Sequence, residues 1–108
     1  MAAQIDISRE PDTTGWQTGT ASIRGATYSV ALKRSARPSG FGIDNGRIFK
    51  LEITTPRGRR AVDYDRGWFA CPKDGPDAEV FEAVLAAFNG PDHEGDWVAE
   101  EDFDSANN

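Results

Sequence analysis

Apolar and polar residues alternate with period two in three stretches of the chain and recur at spacings of three and four in a fourth. Between Trp16 and Arg24 and again past the Gly25-Ala26 break, where Tyr28, Val30 and Leu32 alternate with Ser29, Ala31 and Lys33, the pattern predicts a first hairpin. Arg34 to Gly46 carries Pro38, Gly40, Gly42 and Asn45-Gly46, the chemistry of a loop that ends in a tight turn. Arg47 to Thr55 reads as the clearest strand, with Phe49, Leu51 and Ile53 on a core face and Ile48, Lys50 and Glu52 on a face largely turned to solvent. Pro56-Arg57-Gly58 turns the chain. Arg59 to Asp65 returns it, placing Val62 and Tyr64 on one side and Asp63 and Asp65 on the other. Gly67 to Cys71 extends this hairpin past a kink, and Pro72, which has no amide hydrogen, stops the ladder.

The helical period follows. Val80, Phe81, Val84, Leu85 and Phe88 form one apolar stripe, entered through Asp74 or Gly75 and Pro76 and ended by Asn89-Gly90-Pro91. Asp77 and Glu79 lie in the first turn, where the positive end of the helix dipole favours carboxylates. Burying the stripe on a sheet is worth about 1.5–3 kcal/mol per large side chain, so it is the chief cohesive element expected. Truncating Leu85 or Phe88 to Ala is expected to cost about 2–5 kcal/mol. The fold class expected is α+β: an antiparallel sheet of four or five strands with one amphipathic helix on one face. Residues 1–14 read as a flexible lead in which Ile5 to Ser8 could form a short edge strand, residues 15–90 as the domain, and residues 91–108 as an acidic tail.

Composition narrows the class. A chain of 108 residues with 38% hydrophobic residues makes one domain with a modest core. The only cysteine, Cys71, rules out an internal disulfide and a multi-cysteine zinc site and points to a reducing cytoplasm. No basic region followed by an apolar run opens the chain, and no stretch nears the ~20 apolar residues of a membrane span. Neither secretion nor a membrane partner is expected.

Charge is segregated. Residues 1–72 hold eleven Lys+Arg against seven Asp+Glu, a balance of +4, and residues 73–108 hold one against eleven, a balance of −10. Thirteen residues, Asp92 to Asp104, carry seven carboxylates and no Lys or Arg. Such a segment is most simply a solubilising tail. Trp97, Val98 and Phe103 lie among its carboxylates, however, and acidic segments with apolar anchors dock on basic, partly apolar surfaces, either a partner's or the domain's own arginine-rich turn.

Catalytic chemistry finds little support. His93, the single histidine, lies in a loop-like acidic stretch without an evident orienting partner, and Cys71 reads as a partly buried thiol that only His93 could activate. Asp63, Asp65 and Asp44 could approach one another as a carboxylate or divalent-metal site, but Arg59, Arg60 and Arg66 are ready ion-pair partners. Gly40, Gly42 and Gly46 lack the Lys-Ser/Thr ending of a phosphate loop and precede a strand, which favours a turn. No catalytic residue, metal or cofactor is expected, and the protein is read as non-enzymatic.

Three binding readings follow. In the first, Glu79, Glu82, Asp92, Glu94, Asp96, Glu100, Glu101, Asp102 and Asp104 present carboxylates to a basic host protein, with Trp97 and Phe103 as anchors. In the second, Lys33, Arg34 and Arg37 with Arg57, Arg59 and Arg60 contact nucleic acid beside Trp16 and Trp68, against the repulsion of a net charge of −6. In the third, Asp63, Tyr64, Asp65 and Trp68 form a small ligand-binding or enzymatic site.

The stretch Gly40 to Ile53, with its GRI-x-KLEI strand, and the segment Tyr64-Asp65-Arg66-Gly67-Trp68 together resemble a family of small uncharacterised proteins of bacteriophages and mobile elements, over roughly Trp16 to Phe88. The resemblance implies a phage-type α+β domain in a host cytoplasm and carries no reaction, cofactor or catalytic residue. With the acidic tail, it suggests by analogy a small inhibitor of a host defence protein, as anti-CRISPR proteins are.

Overall fold

A computed structural model describes residues 3–90. Six strands, β1 (Gln4–Ile7), β2 (Gln17–Ile23), β3 (Ala26–Arg34), β4 (Ile48–Thr54), β5 (Arg60–Asp65) and β6 (Trp68–Ala70), precede one helix, α1 (Pro76–Phe88). They form a single antiparallel sheet in the order β1-β2-β3-β4-β5-β6, each strand beside its neighbour in sequence. The expected count of four or five strands is corrected to six. Both ends of the chain's strand run contribute short edges: Gln4–Ile7 pairs with β2 from Gln4↔Ser22 to Ile7↔Gly19, and Trp68–Ala70 returns along β5. Four residues with only two isoleucines carry a weak periodic signal. They stay because Ile7 is buried and Ile5 packs against the core while β2 supplies a hydrogen-bonding edge.

The turns explain the tight connections. Arg24 and Gly25 both have positive φ (48° and 82°), the two-residue geometry that matches the twist of the flanking strands, and they join β2 to β3. Helix α1 begins at Gly75 without a side-chain cap and with Pro76 in its first turn. It buries Val80, Phe81, Val84 and Phe88 against the face formed by Ala21, Ile23, Val30, Leu51, Ile53 and Val62. Leu85 lies at the margin of the stripe and is only half-buried.

Strand β4 departs from strict alternation at its start. Lys33 pairs with Lys50 but Arg34 pairs with Ile48, so Phe49 is the extra residue of a bulge. The bulge rotates Ile48 onto the core face with Leu51 and Ile53. Phe49 is buried outside that main cluster, in place of the expected Phe49-Leu51-Ile53 set.

The 3₁₀ turn Ile43–Asn45 is tied to the helix end by one side chain. Asn89 accepts a hydrogen bond from the Ile48 amide at 2.9 Å through Oδ1 and donates one to the Ile43 carbonyl at 2.8 Å through Nδ2. A Cβ at Gly46 would run into the Asn89 side chain, and one at Gly42 into the Gly46 backbone. These glycines serve close approach, as a turn requires. No helix among the described residues is long and apolar enough to cross a membrane.

Candidate functional site

Antiparallel partners share a face, so the register defines the side of the sheet opposite α1. Thr18, Ala31, Glu52, Asp63 and Ala70 form one row across it, and Lys33, Lys50 and Asp65 another. None of the described residues covers this side, which has a floor of small residues and hydroxyls, among them Thr20, Ser29 and Thr54. Trp16 and Phe69 rise at its two ends, Phe69 with 75% of its surface exposed. Between them is a shallow cavity of about 310 Å³, bordered by Trp16, Lys50, Glu52, Asp63, Asp65 and Phe69 together with part of Tyr64. A second hollow of about 290 Å³ over Thr18, Ser29, Ala31 and Thr54 meets it at Glu52.

The charges on this face are loosely held. Glu52 and Asp63 stand directly opposite each other, as do Lys33 and Lys50, and like charges in that position repel. Arg60 reaches Glu52 at 3.4 Å and Asp63 at 3.9 Å, beyond good hydrogen-bonding range for the second, with all three side chains well exposed. Arg66 meets Asp65 at 3.1 Å, and the Lys33 ammonium lies 5.2 Å from the centre of the Trp16 ring.

The start of α1 is held differently. Arg24 grips both carboxylate oxygens of Glu79, at 3.2 and 2.8 Å. Asp77 accepts the Tyr28 hydroxyl at 2.7 Å and the Arg59 guanidinium at 2.8 Å. The Tyr28 hydroxyl, then Arg59, hold the Asp77 carboxyl below the usual carboxylate range, and Arg24 does the same for Glu79. Burial, then Asp77, pushes the Tyr28 phenol up to about 12. Burial, then the charge of Asp44, also raises Tyr64, whose hydroxyl donates to the Phe41 carbonyl at 2.9 Å.

The expected site residues are therefore scattered among different roles. Glu79 is engaged by Arg24, and Glu82 is exposed on the helix. Asp92, Glu94, Asp96, Trp97, Glu100, Glu101, Asp102, Phe103 and Asp104, with His93, lie outside the described residues. Of the basic set, Arg34 is buried, donates to Gln17 Oε1 at 2.9 Å and stacks 5.0 Å from the centre of the Phe88 ring. Arg59 and Arg60 are in the ion pairs above, Lys33 is on the open face, and Arg37 and Arg57 are exposed in turns. Asp63, Tyr64 and Asp65 border one cavity, whereas Trp68 faces the helix side and packs edge-on against Tyr64 and Phe81. Asp44 stands apart in the 3₁₀ turn, and Cys71 is exposed, not partly buried, because β6 ends at Ala70 on the sheet's rim. Among the described residues no three His, Cys, Asp or Glu side chains converge as metal ligands. Phe69 and Trp16 as a facing pair escaped the sequence reasoning, because a bulge opposite Asp63 and Tyr64 shifts β6 and no local pattern encodes it.

Residues 15–89 match the model of a domain of unknown function, DUF7678, and the chain belongs to that family. No curated protein and no solved structure matches it.

Proposed function

We propose that this DUF7678 domain is a non-enzymatic binding module that engages a basic protein surface, in the manner of a phage-encoded inhibitor of a host nucleic-acid-handling or defence protein, acting in the host cytoplasm. The observation that carries the reading is the internal use of the body's arginines. Arg24 and Arg59 close on Glu79 and Asp77, Arg60 serves Glu52 and Asp63, and Arg34 is buried. Residues 1–90 hold twelve Lys+Arg against eleven Asp+Glu, a balance of +1, whereas residues 91–108 hold none against seven, a balance of −7. A nearly neutral body joined to an anionic segment that contains no Lys or Arg favours cationic partners over phosphate. The inhibitor role rests on analogy with small acidic proteins of that type.

Neutralising Asp92, Glu94, Asp96, Glu100, Glu101, Asp102 and Asp104 to Asn or Gln in the full chain tests this reading. Affinity capture from host lysate, eluted in rising salt, is expected to retain basic nucleic-acid-handling proteins on the natural chain and to lose them on the neutralised one. Equal retention by both overturns the tail's role. A gel shift by the natural chain that weakens with salt would favour the nucleic-acid reading instead.

A further inference from the structure

We infer that the open sheet face is a second binding surface, separate from the acidic segment, and that its cavity takes the arginine side chain of a partner polypeptide. The partner class follows the proposed function, but the pocket stands on its own geometry. Three carboxylates and one ammonium border the cavity: Glu52, Asp63 and Asp65 against Lys50. Arg60 and Arg66 approach those carboxylates without bordering it.

Two contrasts argue for an occupant. Each carboxylate oxygen of Asp77 and Glu79 accepts a hydrogen bond at 2.7–3.2 Å, while among the described residues Glu52 and Asp63 accept none and share one guanidinium at 3.4 and 3.9 Å. The repulsive Glu52–Asp63 juxtaposition is retained in the middle of the sheet, where a second guanidinium would relieve it. A planar guanidinium matches the rest of the site, because it pairs bidentately with carboxylates while its face lies on an aromatic ring, here Phe69 or Trp16. The adjoining hollow over Thr18, Ser29, Ala31 and Thr54 is floored by small side chains, so an extended backbone could continue across it.

The test is a nuclear magnetic resonance titration of the full chain with the capped tripeptide acetyl-Gly-Arg-Gly-amide and its citrulline counterpart, which keeps the shape and loses the charge. Saturable shifts are expected at the Trp16 indole and at the amides of Lys50 to Glu52 and Asp63 to Phe69, for the arginine peptide only. The E52Q/D63N double variant is expected to weaken binding about tenfold, F69A to weaken it about threefold, and K50Q to tighten it about twofold, each keeping the natural melting temperature within a few degrees. Equal shifts with citrulline, or weaker binding by K50Q, would overturn the pocket. So would shifts confined to residues 91–108, which would leave the acidic-segment reading intact, or a concentration-dependent dimer covering this face. Pocket shifts that persist in the tail-neutralised chain, with lysate capture lost, would support the pocket and the tail as independent surfaces.

Discussion

The two faces of this sheet use charge in opposite ways. On the helix side, both carboxylates of the first turn of α1 are hydrogen-bonded by partners brought from the β2–β3 turn, β3 and the turn before β5: Arg24 on Glu79, and Tyr28 with Arg59 on Asp77. On the open side, Glu52 stands opposite Asp63 and Lys33 opposite Lys50, and the Arg60 contacts to Glu52 and Asp63 are longer, at 3.4 and 3.9 Å. Exposed pairs of the second kind contribute about 0–1 kcal/mol, so they do not hold the fold. The lesson is that a residue's charge does not announce its role. Glu79 and Glu52 are equally acidic in the sequence, and only the three-dimensional company they keep separates a carboxylate hydrogen-bonded at the start of the helix from one held by a single longer ion pair.

The contrast can be broken most severely at the core. Phe88→Ala is expected to cost about 3–5 kcal/mol, read by urea unfolding, because the ring is buried with Arg9 and Arg34 stacked 4.8 and 5.0 Å from its centre. Phe69→Ala, on the open face, is expected to stay within about 0.5 kcal/mol of the natural chain. Leu85→Ala should fall clearly below Phe88→Ala, since Leu85 is half-buried.

Asn89→Ala comes next, at about 2 kcal/mol, because it leaves the Ile48 amide and the Ile43 carbonyl without their partner. Denaturant midpoints check it, and an Asn89→Asp variant, which keeps the acceptor and loses the donor, should fall between.

Tyr28→Phe is expected to cost about 1–2 kcal/mol by removing the hydroxyl bond to Asp77. Its pH behaviour has a definite sign. Asp77 has a lowered folded-state pKa, so its contribution is present above the ordinary carboxylate pKa and is lost as pH falls through the folded value. The phenylalanine variant should therefore lose less stability on acidification, by melting temperature below about pH 4. Tyr28 itself is raised, so its contribution is present below about pH 10 and is lost as pH rises toward its folded value of about 12. Tyrosinate absorbance in the native protein should lag accordingly, since both tyrosines of the chain are shifted upward.

The smallest effect is expected at Glu52→Gln. It removes one member of a repulsive pair and also an exposed ion pair with Arg60, so thermal stability should change by no more than about 0.5 kcal/mol.

The helix, the two central hairpins and the loop before β4 were legible in the sequence because period, turn glycines and prolines act locally. The bulge at Phe49 was not, because it is a shift in the pairing of β4 with β3 and no local pattern marks it. Nor were the ion pairs of α1, since Arg24 and Glu79 lie 55 residues apart. At the candidate site, Asp63 and Asp65 were readable as a face, while Trp16 and Phe69 joined them only through strand order and the slip in β6.

The strand order also bears on how the molecule is made. Because the six strands lie side by side in the order of synthesis, each can add to the edge left by the one before, with no crossover to thread. Helix α1 is the last of the described elements, and the Asn89 bonds to Ile43 and Ile48 form only when the end of this helix reaches the loop before β4. Until then the apolar face of a finished sheet waits unroofed. Assembly thus runs as a queue that one asparagine closes, and a nascent chain stalled before residue 89 would expose the surface most prone to aggregate.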